Sequence, residues 1–156
     1  MESDRQKTVK IALVGLALVL LRFPVIPFIH NECDVLPVAR QAVEKSWLPH
    51  DWYLNLAGPY REAFNLLGGN LLAAGIGFQW GALLLRLLVY AFLAYGFYSL
   101  FRALKLRFVY MLLALLIFIP HQSLIAQEWV VGGVEAKAFA YGFVLLTAAA
   151  FLEKRY

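Results

Sequence analysis

Charged side chains are scarce in this chain: Lys, Arg, Asp and Glu make up 15% of its 156 residues. A soluble domain carries about a quarter, and no stretch here is hydrophilic enough to form one. Cysteine occurs once, at Cys33, so no internal disulfide can form and cysteine usage says nothing about redox compartment. There is no internal repeat and no low-complexity tract. No P-loop, GxSxG, HExxH or CxxC pattern is present, so none of those soluble-enzyme chemistries is signalled. The net charge of +4 would suggest nucleic acid or anionic lipid if it formed one patch in the sequence. The basic residues instead flank apolar runs, where orientation in a bilayer explains them. No nucleic-acid partner is expected.

What the chain has in abundance is apolar sequence: 62% hydrophobic residues and a mean hydropathy of +0.69. These residues come in long runs broken by short charged clusters, the pattern of several membrane spans. The expectation is an all-α integral membrane protein embedded in a lipid bilayer as a single membrane domain, residues 1–156. It has about four transmembrane helices, an amphipathic surface helix and a re-entrant or interfacial segment on the outer face.

The first span covers residues 11–29, behind the positive flank Arg5, Lys7 and Lys10. A secretory signal is the competing reading, but Phe28-Ile29-His30-Asn31 offers no small-residue cleavage site. Arg22 lies about 10 Å below the outer end of this run, close enough to snorkel outward or to meet a carboxylate. Pro24 and Pro27 predict a bend or frayed end. Residues 30–65 form a polar outer loop. Within it Val35, Val38, Ala39, Ala42, Val43 and Trp47 recur at helical spacing opposite Arg40, Gln41, Glu44 and Lys45, as in a helix lying on a membrane surface. Asp34 stands where an N-cap is expected, and Pro37 falls in the first turn. Trp47, Trp52, Tyr53 and Tyr60 suit the headgroup level, while Pro49 and Gly58-Pro59 mark turns.

Residues 66–101 are too long for one span and have no polar loop to make two. One span places Arg102, Lys105 and Arg107 on the same side as Arg5, Lys7 and Lys10, and two would place them on opposite sides. Residues 66–81 are therefore read as the interfacial segment, broken by Gly68-Gly69, Gly75, Gly77 and Gly81, and residues 82–101 as the second span. Spans at 108–124 and 136–152 complete the set. Both termini are then cytoplasmic, and the expected location is a bacterial plasma membrane.

This topology turns seven of the ten acidic residues outward: Glu32, Asp34, Glu44, Asp51, Glu62, Glu128 and Glu135. His30, His50 and His121 face out as well. Glu32 and Asp34 form the sharpest pair, since a carboxylate at the hydrocarbon boundary can act as a general base or hold a divalent cation that bridges phosphates. The competing reading is that Asp34 caps the surface helix and Glu32 is solvated. His50-Asp51 reads either as a turn or as a ligand pair. Glu135 and Lys137 are two apart and do not face each other on a helix. Glu135 is a functional candidate or a structural partner of Arg86 or Arg22. His121 and Glu128 read as interfacial.

One resemblance covers nearly the whole chain. A first span is followed by Asn31-Glu32 and then by a surface helix containing Ala39-Arg40. A Trp-Leu-Pro-His-Asp-Trp turn follows at residues 47–52, then a span ending in Arg102-Ala-Leu-Lys-Leu-Arg107, then a second acidic outer loop. This order resembles the N-terminal part of the GT-C superfamily of membrane glycosyltransferases. Gly132-Gly133-Val134-Glu135-Ala136-Lys137 and the turn around Asp51 are similar to bacterial multi-span proteins related to it. The resemblance implies a polyprenyl-phosphate-sugar donor and a first-loop acid that is the catalytic base or sits by a metal, Mg or Mn. Asn31-Glu32 matches the family's Asp-Glu position, with Asn in place of the first acid, and Glu32 becomes the implied base. Arg86 or Lys137 would offset donor phosphate charge. GT-C enzymes have many more spans, so the resemblance implies an N-terminal or truncated module that works with downstream spans or a partner membrane protein. The alternative is a non-enzymatic multi-span protein, either an assembly partner or a small transporter subunit.

Overall fold

The structure is a computed structural model that describes residues 3–22, 31–56, 60–124 and 129–154. All secondary structure among them is helical: α1 (Asp4–Arg22), α2 (Glu32–Val43), α3 (Trp52–Leu56), α4 (Glu62–Ala73), α5 (Phe78–Ala103), α6 (Phe108–His121), a 3-10 turn (Gln122–Leu124) and α7 (Ala136–Leu152). Pro24, Pro27, His30, Gly58-Pro59 and Glu128 lie outside the described residues. Contacts divide the chain into two units. One holds Met1–Pro24, Leu88–Gly132 and Lys137–Tyr156; the other holds Val25–Leu87 and Gly133–Ala136.

In the first unit α1 and α6 pack side by side, and the C-terminal part of α5 supplies much of the core. Val14 and Leu18 of α1 are buried with Val89, Leu93, Ala94 and Phe97 of α5 and with Leu115 and Ile119 of α6. Helix α7 comes close to α5 because two glycines leave room. A Cβ on Gly96 would meet Leu145 at 3.1 Å, and one on Gly142 would overlap the Phe92 ring. The loop after α6 is held by polar side chains. Gln122 accepts from the backbone N–H groups of Val130 (2.7 Å) and Val131 (2.9 Å) and donates to the Val131 carbonyl (2.8 Å). The Tyr90 hydroxyl donates to the carbonyl of Gly132 at 3.0 Å.

In the second unit α2 packs on α4. Val35, Leu36, Val38 and Ala39 are buried, so much of the apolar stripe is covered by a neighbouring helix, while Ala42 is exposed. Glycine explains the close approach: a Cβ on Gly69 would overlap the Ala39 carbonyl oxygen and lie 2.7 Å from Val43 Cγ2. The break between α4 and α5 also falls earlier than expected. Gly75, at φ 93°, turns the chain, and α5 resumes at Phe78, so residues 78–81 belong to the long helix. Gly81 does not break it. It sits where a Cβ would meet Leu72 Cδ2 at 2.8 Å.

By length and composition α5 is the one described helix that is long and apolar enough to cross a bilayer. The α6 segment through Leu124, and α7, are apolar but shorter.

Candidate functional site

The site begins where α2 begins. Asn31 takes the N-cap position without a side-chain cap bond, and the backbone N–H of Val35 bonds back to its carbonyl at 2.8 Å. This corrects the capping role expected of Asp34, which lies inside the first turn. A helical residue's side chain points back along its own helix face, so Glu32, with Val35, Leu36 and Ala39 on the buried side, points inward and Asp34 points outward.

Glu32 and Arg86 are each 1% exposed. Arg86 reaches Glu32 from α5 in a two-pronged pair: Nε donates to Oε1 at 2.6 Å and Nη2 donates to Oε2. Oε1 also accepts the Val134 backbone N–H at 2.8 Å. Gly133 makes room for this, since a Cβ there would stand 3.1 Å from the same oxygen. Next to it, the Asn31 side-chain amide donates to Glu135, a carboxylate that is 6% exposed. Residues 133–135 are thus clasped onto the start of α2 by two acids, one amide and one guanidinium. A planar fork on a carboxylate is the strongest common form of ion pair, and burial of both partners is tolerated because the oxygens are satisfied.

On the outward side of α2 the Tyr53 hydroxyl donates to Asp34 Oδ1 at 2.6 Å. That bond holds the Tyr53 pKa above its ordinary 10.0, with desolvation and the Asp34 charge adding to the rise and Arg61 opposing it. Both residues are exposed.

The remaining sequence candidates lie elsewhere. Asp51 caps α3, accepting the Leu54 N–H at 2.8 Å, and His50 beside it is exposed in the turn. That turn is ordered by Gln41, fully buried on α2, which accepts from Leu48 N–H at 3.1 Å and donates to Asn55 Oδ1 at 3.0 Å. Lys137, in the first unit, stacks over Trp129 with its ammonium 4.3 Å from the ring centroid. Arg22 is exposed at the end of α1. Of the seven candidate residues, the structure brings together Glu32, Arg86 and Glu135 in one cluster. Asp34 stays at its edge, and His50, Asp51 and Lys137 fall outside it.

Two residues were not anticipated in their roles. Arg86 was expected to face Glu135 or a phosphate, yet it is committed to Glu32. Gln41 was assigned to the polar face, although its spacing of three from Val38 puts it on the buried one.

A divalent cation does not fit at Glu32. Both carboxylate oxygens already face donors, two of them on a guanidinium, and a second positive charge would repel it. Among the described residues no three His, Cys, Asp or Glu side chains come together as a metal site. While forked by Arg86, Glu32 has no access to a proton on a substrate. Asp34 does, as an exposed carboxylate with a phenol on one oxygen.

Comparison with protein-family models, with characterised proteins and with solved structures gives no match for this chain.

Proposed function

We propose that the chain is an integral membrane protein with four crossings, α1, α5, α6 through the 3-10 turn, and α7, and that its outer face works on a polyprenyl-phosphate sugar. The membrane part rests on one observation, exposed apolar faces on all four helices together with buried charge. Leu13, Leu16 and Leu20 on α1, Leu84, Leu87 and Leu88 on α5, Leu113, Leu116 and Ile117 on α6, and Phe143 and Val144 on α7 are exposed. Glu32, Gln41, Arg86, Gln122 and Glu135 are buried. Soluble monomers rarely expose contiguous apolar faces beyond a few hundred Å², and charged groups in lipid-embedded proteins turn inward and pair.

The glycosyltransferase part rests on the resemblance around Asn31-Glu32 and Ala39-Arg40, with roles adjusted to the geometry. Glu32 and Arg86 act as positioning residues that lock residues 133–135 to α2. Asp34 is the acid available to an incoming hydroxyl, and Tyr53 orients it. Sugar transfer from a labelled polyprenyl-phosphate donor in proteoliposomes tests this reading. Asp34→Asn should abolish transfer, and Glu32→Gln should lower it together with thermal stability. Absence of donor binding by the native chain, alone or with a partner membrane protein, overturns it.

The engagement of both Glu32 oxygens favours a second reading, a non-enzymatic multi-span protein whose acids are structural. In that case Asp34→Asn leaves every property of the folded chain unchanged except the Tyr53 titration.

A further inference from the structure

The basic residues that are scattered in the sequence converge in the fold. In the first unit the start of α1, the end of α5, the start of α6 and the end of α7 lie at one end. Two interactions tie them there. Arg102 of α5 bonds Glu153, just past α7, at 2.9 Å, and the Lys10 ammonium of α1 lies 5.9 Å from the Phe108 ring centroid of α6. Seven cations stand at this end among the described residues, Arg5, Lys7, Lys10, Arg102, Lys105, Arg107 and Lys154, against the two carboxylates Asp4 and Glu153, a net of +5. Four of the seven, Arg5, Lys105, Arg107 and Lys154, are exposed.

The α5–α6 connection, Leu104-Lys105-Leu106-Arg107, alternates apolar and basic residues. Leu104 and Leu106 are 48% and 38% exposed, beside Val109 and Tyr110 at 64% and 54%. Aliphatic side chains and cations are thus presented together, as a surface needs in order to take acyl chain and headgroup at once.

A second, independent feature is the backbone. Lys105 has φ 57° and Lys154 φ 54°. Lys105 closes α5 in a Schellman motif, with Leu106 N–H on the Phe101 carbonyl at 3.1 Å and Lys105 N–H on the Arg102 carbonyl at 2.9 Å. Glycine is the residue suited to that left-handed position. A lysine is found there at two helix ends, both on the basic face, so positive charge is carried where the backbone would favour a residue without a side chain.

We propose that this end of the first unit binds anionic phospholipid headgroups, selecting phosphatidylglycerol-type lipid over zwitterionic lipid. The inference rests on the membrane reading above. It goes beyond orientation, because a charge bias that only sets topology needs neither exposed leucines between the cations nor a lysine in a glycine position.

The test uses the purified full chain, first reconstituted into lipid nanodiscs and then, in detergent, titrated with phosphatidylglycerol, phosphatidylcholine or inorganic phosphate. Bound lipid is read by native mass spectrometry and melting by thermal shift. Phosphatidylglycerol should bind preferentially, and the preference should fall roughly tenfold in Lys105→Gly/Arg107→Gln while the melting temperature without lipid holds, because glycine relieves the backbone. Lys45→Gln, an exposed lysine of the other unit, should leave the preference intact. Equal binding of the two lipids, or an unchanged preference in the double variant, overturns the inference and leaves the membrane reading standing. A response reproduced by inorganic phosphate overturns the lipid as the source. Failure of the chain to enter nanodiscs overturns the membrane reading itself, and this inference with it.

Discussion

The two units each contain an Arg–carboxylate pair, and the pairs differ in almost everything but chemistry. Glu32–Arg86 is 1% exposed on both sides, two-pronged, and backed by the Val134 N–H. Arg102 meets Glu153 at 2.9 Å with 39% and 22% exposure. Water screens the second pair and offers each ion an alternative, so such pairs contribute about 0–1 kcal/mol. The first has no such alternative. Its two charges are tolerable only together, and losing either leaves an uncompensated charge in an apolar surrounding. The difference shows which ion pair organises the chain: the buried one holds residues 133–135 onto α2, and the exposed one only ties helix ends.

The largest effect should come from breaking the buried pair. Arg86→Met is expected to destabilise the protein by about 3–5 kcal/mol, whereas the double variant Glu32→Leu/Arg86→Met should recover most of that loss. Thermal unfolding of the single and double variants checks this, and a double variant no better than the single would show that the pair is not the organising contact. Next is Gly69→Ala, whose methyl overlaps the Ala39 carbonyl. Overpacking of this kind costs about 1–3 kcal/mol, and hydrogen exchange should locate the loosening in α2 and α4, with the first unit untouched.

Arg102→Ala should change stability by no more than about 1 kcal/mol, and raising the salt should shrink even that. The smallest effect is spectroscopic. Tyr53 has its pKa raised by Asp34, so its folded form keeps the proton to higher pH than the unfolded chain does. The stabilisation from this bond is therefore fully present below the ordinary tyrosine pKa and is lost as pH rises through the folded value. Compared by ultraviolet titration, the native chain and Asp34→Asn should differ by one tyrosine, which deprotonates later in the native chain.

Much of this architecture was legible in the chain. Long apolar runs with few breakers gave the helical class, and Pro49 with His50-Asp51 marked a turn that the structure builds around Gln41 and Asn55. Gly75 and Gly77 marked a break, although periodicity could not say which glycine turned the chain and which packed. A turn needs a left-handed glycine and a close helix contact needs a missing side chain, and the letter is the same for both. The site was legible as a neighbourhood only. Glu32 was singled out as an acid at an apolar boundary, but the residue that neutralises it lies 54 positions away. No local pattern encodes a partner at that distance.

The opening polar stretch shows the division most clearly. Sequence alone determined that an acidic segment follows the first apolar run, that a helix follows it with Val35, Val38 and Ala39 on one face, and that charge is concentrated at the ends of apolar runs. Local spacing and composition suffice for each of these. Only the tertiary structure decided that Glu32 turns inward to Arg86 while Asp34 turns outward to Tyr53, that the apolar face of α2 is covered by α4, and that Arg102 of α5 meets Glu153 past the end of α7. Those outcomes depend on which helices come into contact, and that is set by missing side chains at Gly69, Gly96 and Gly142 and by the need of buried charges for partners.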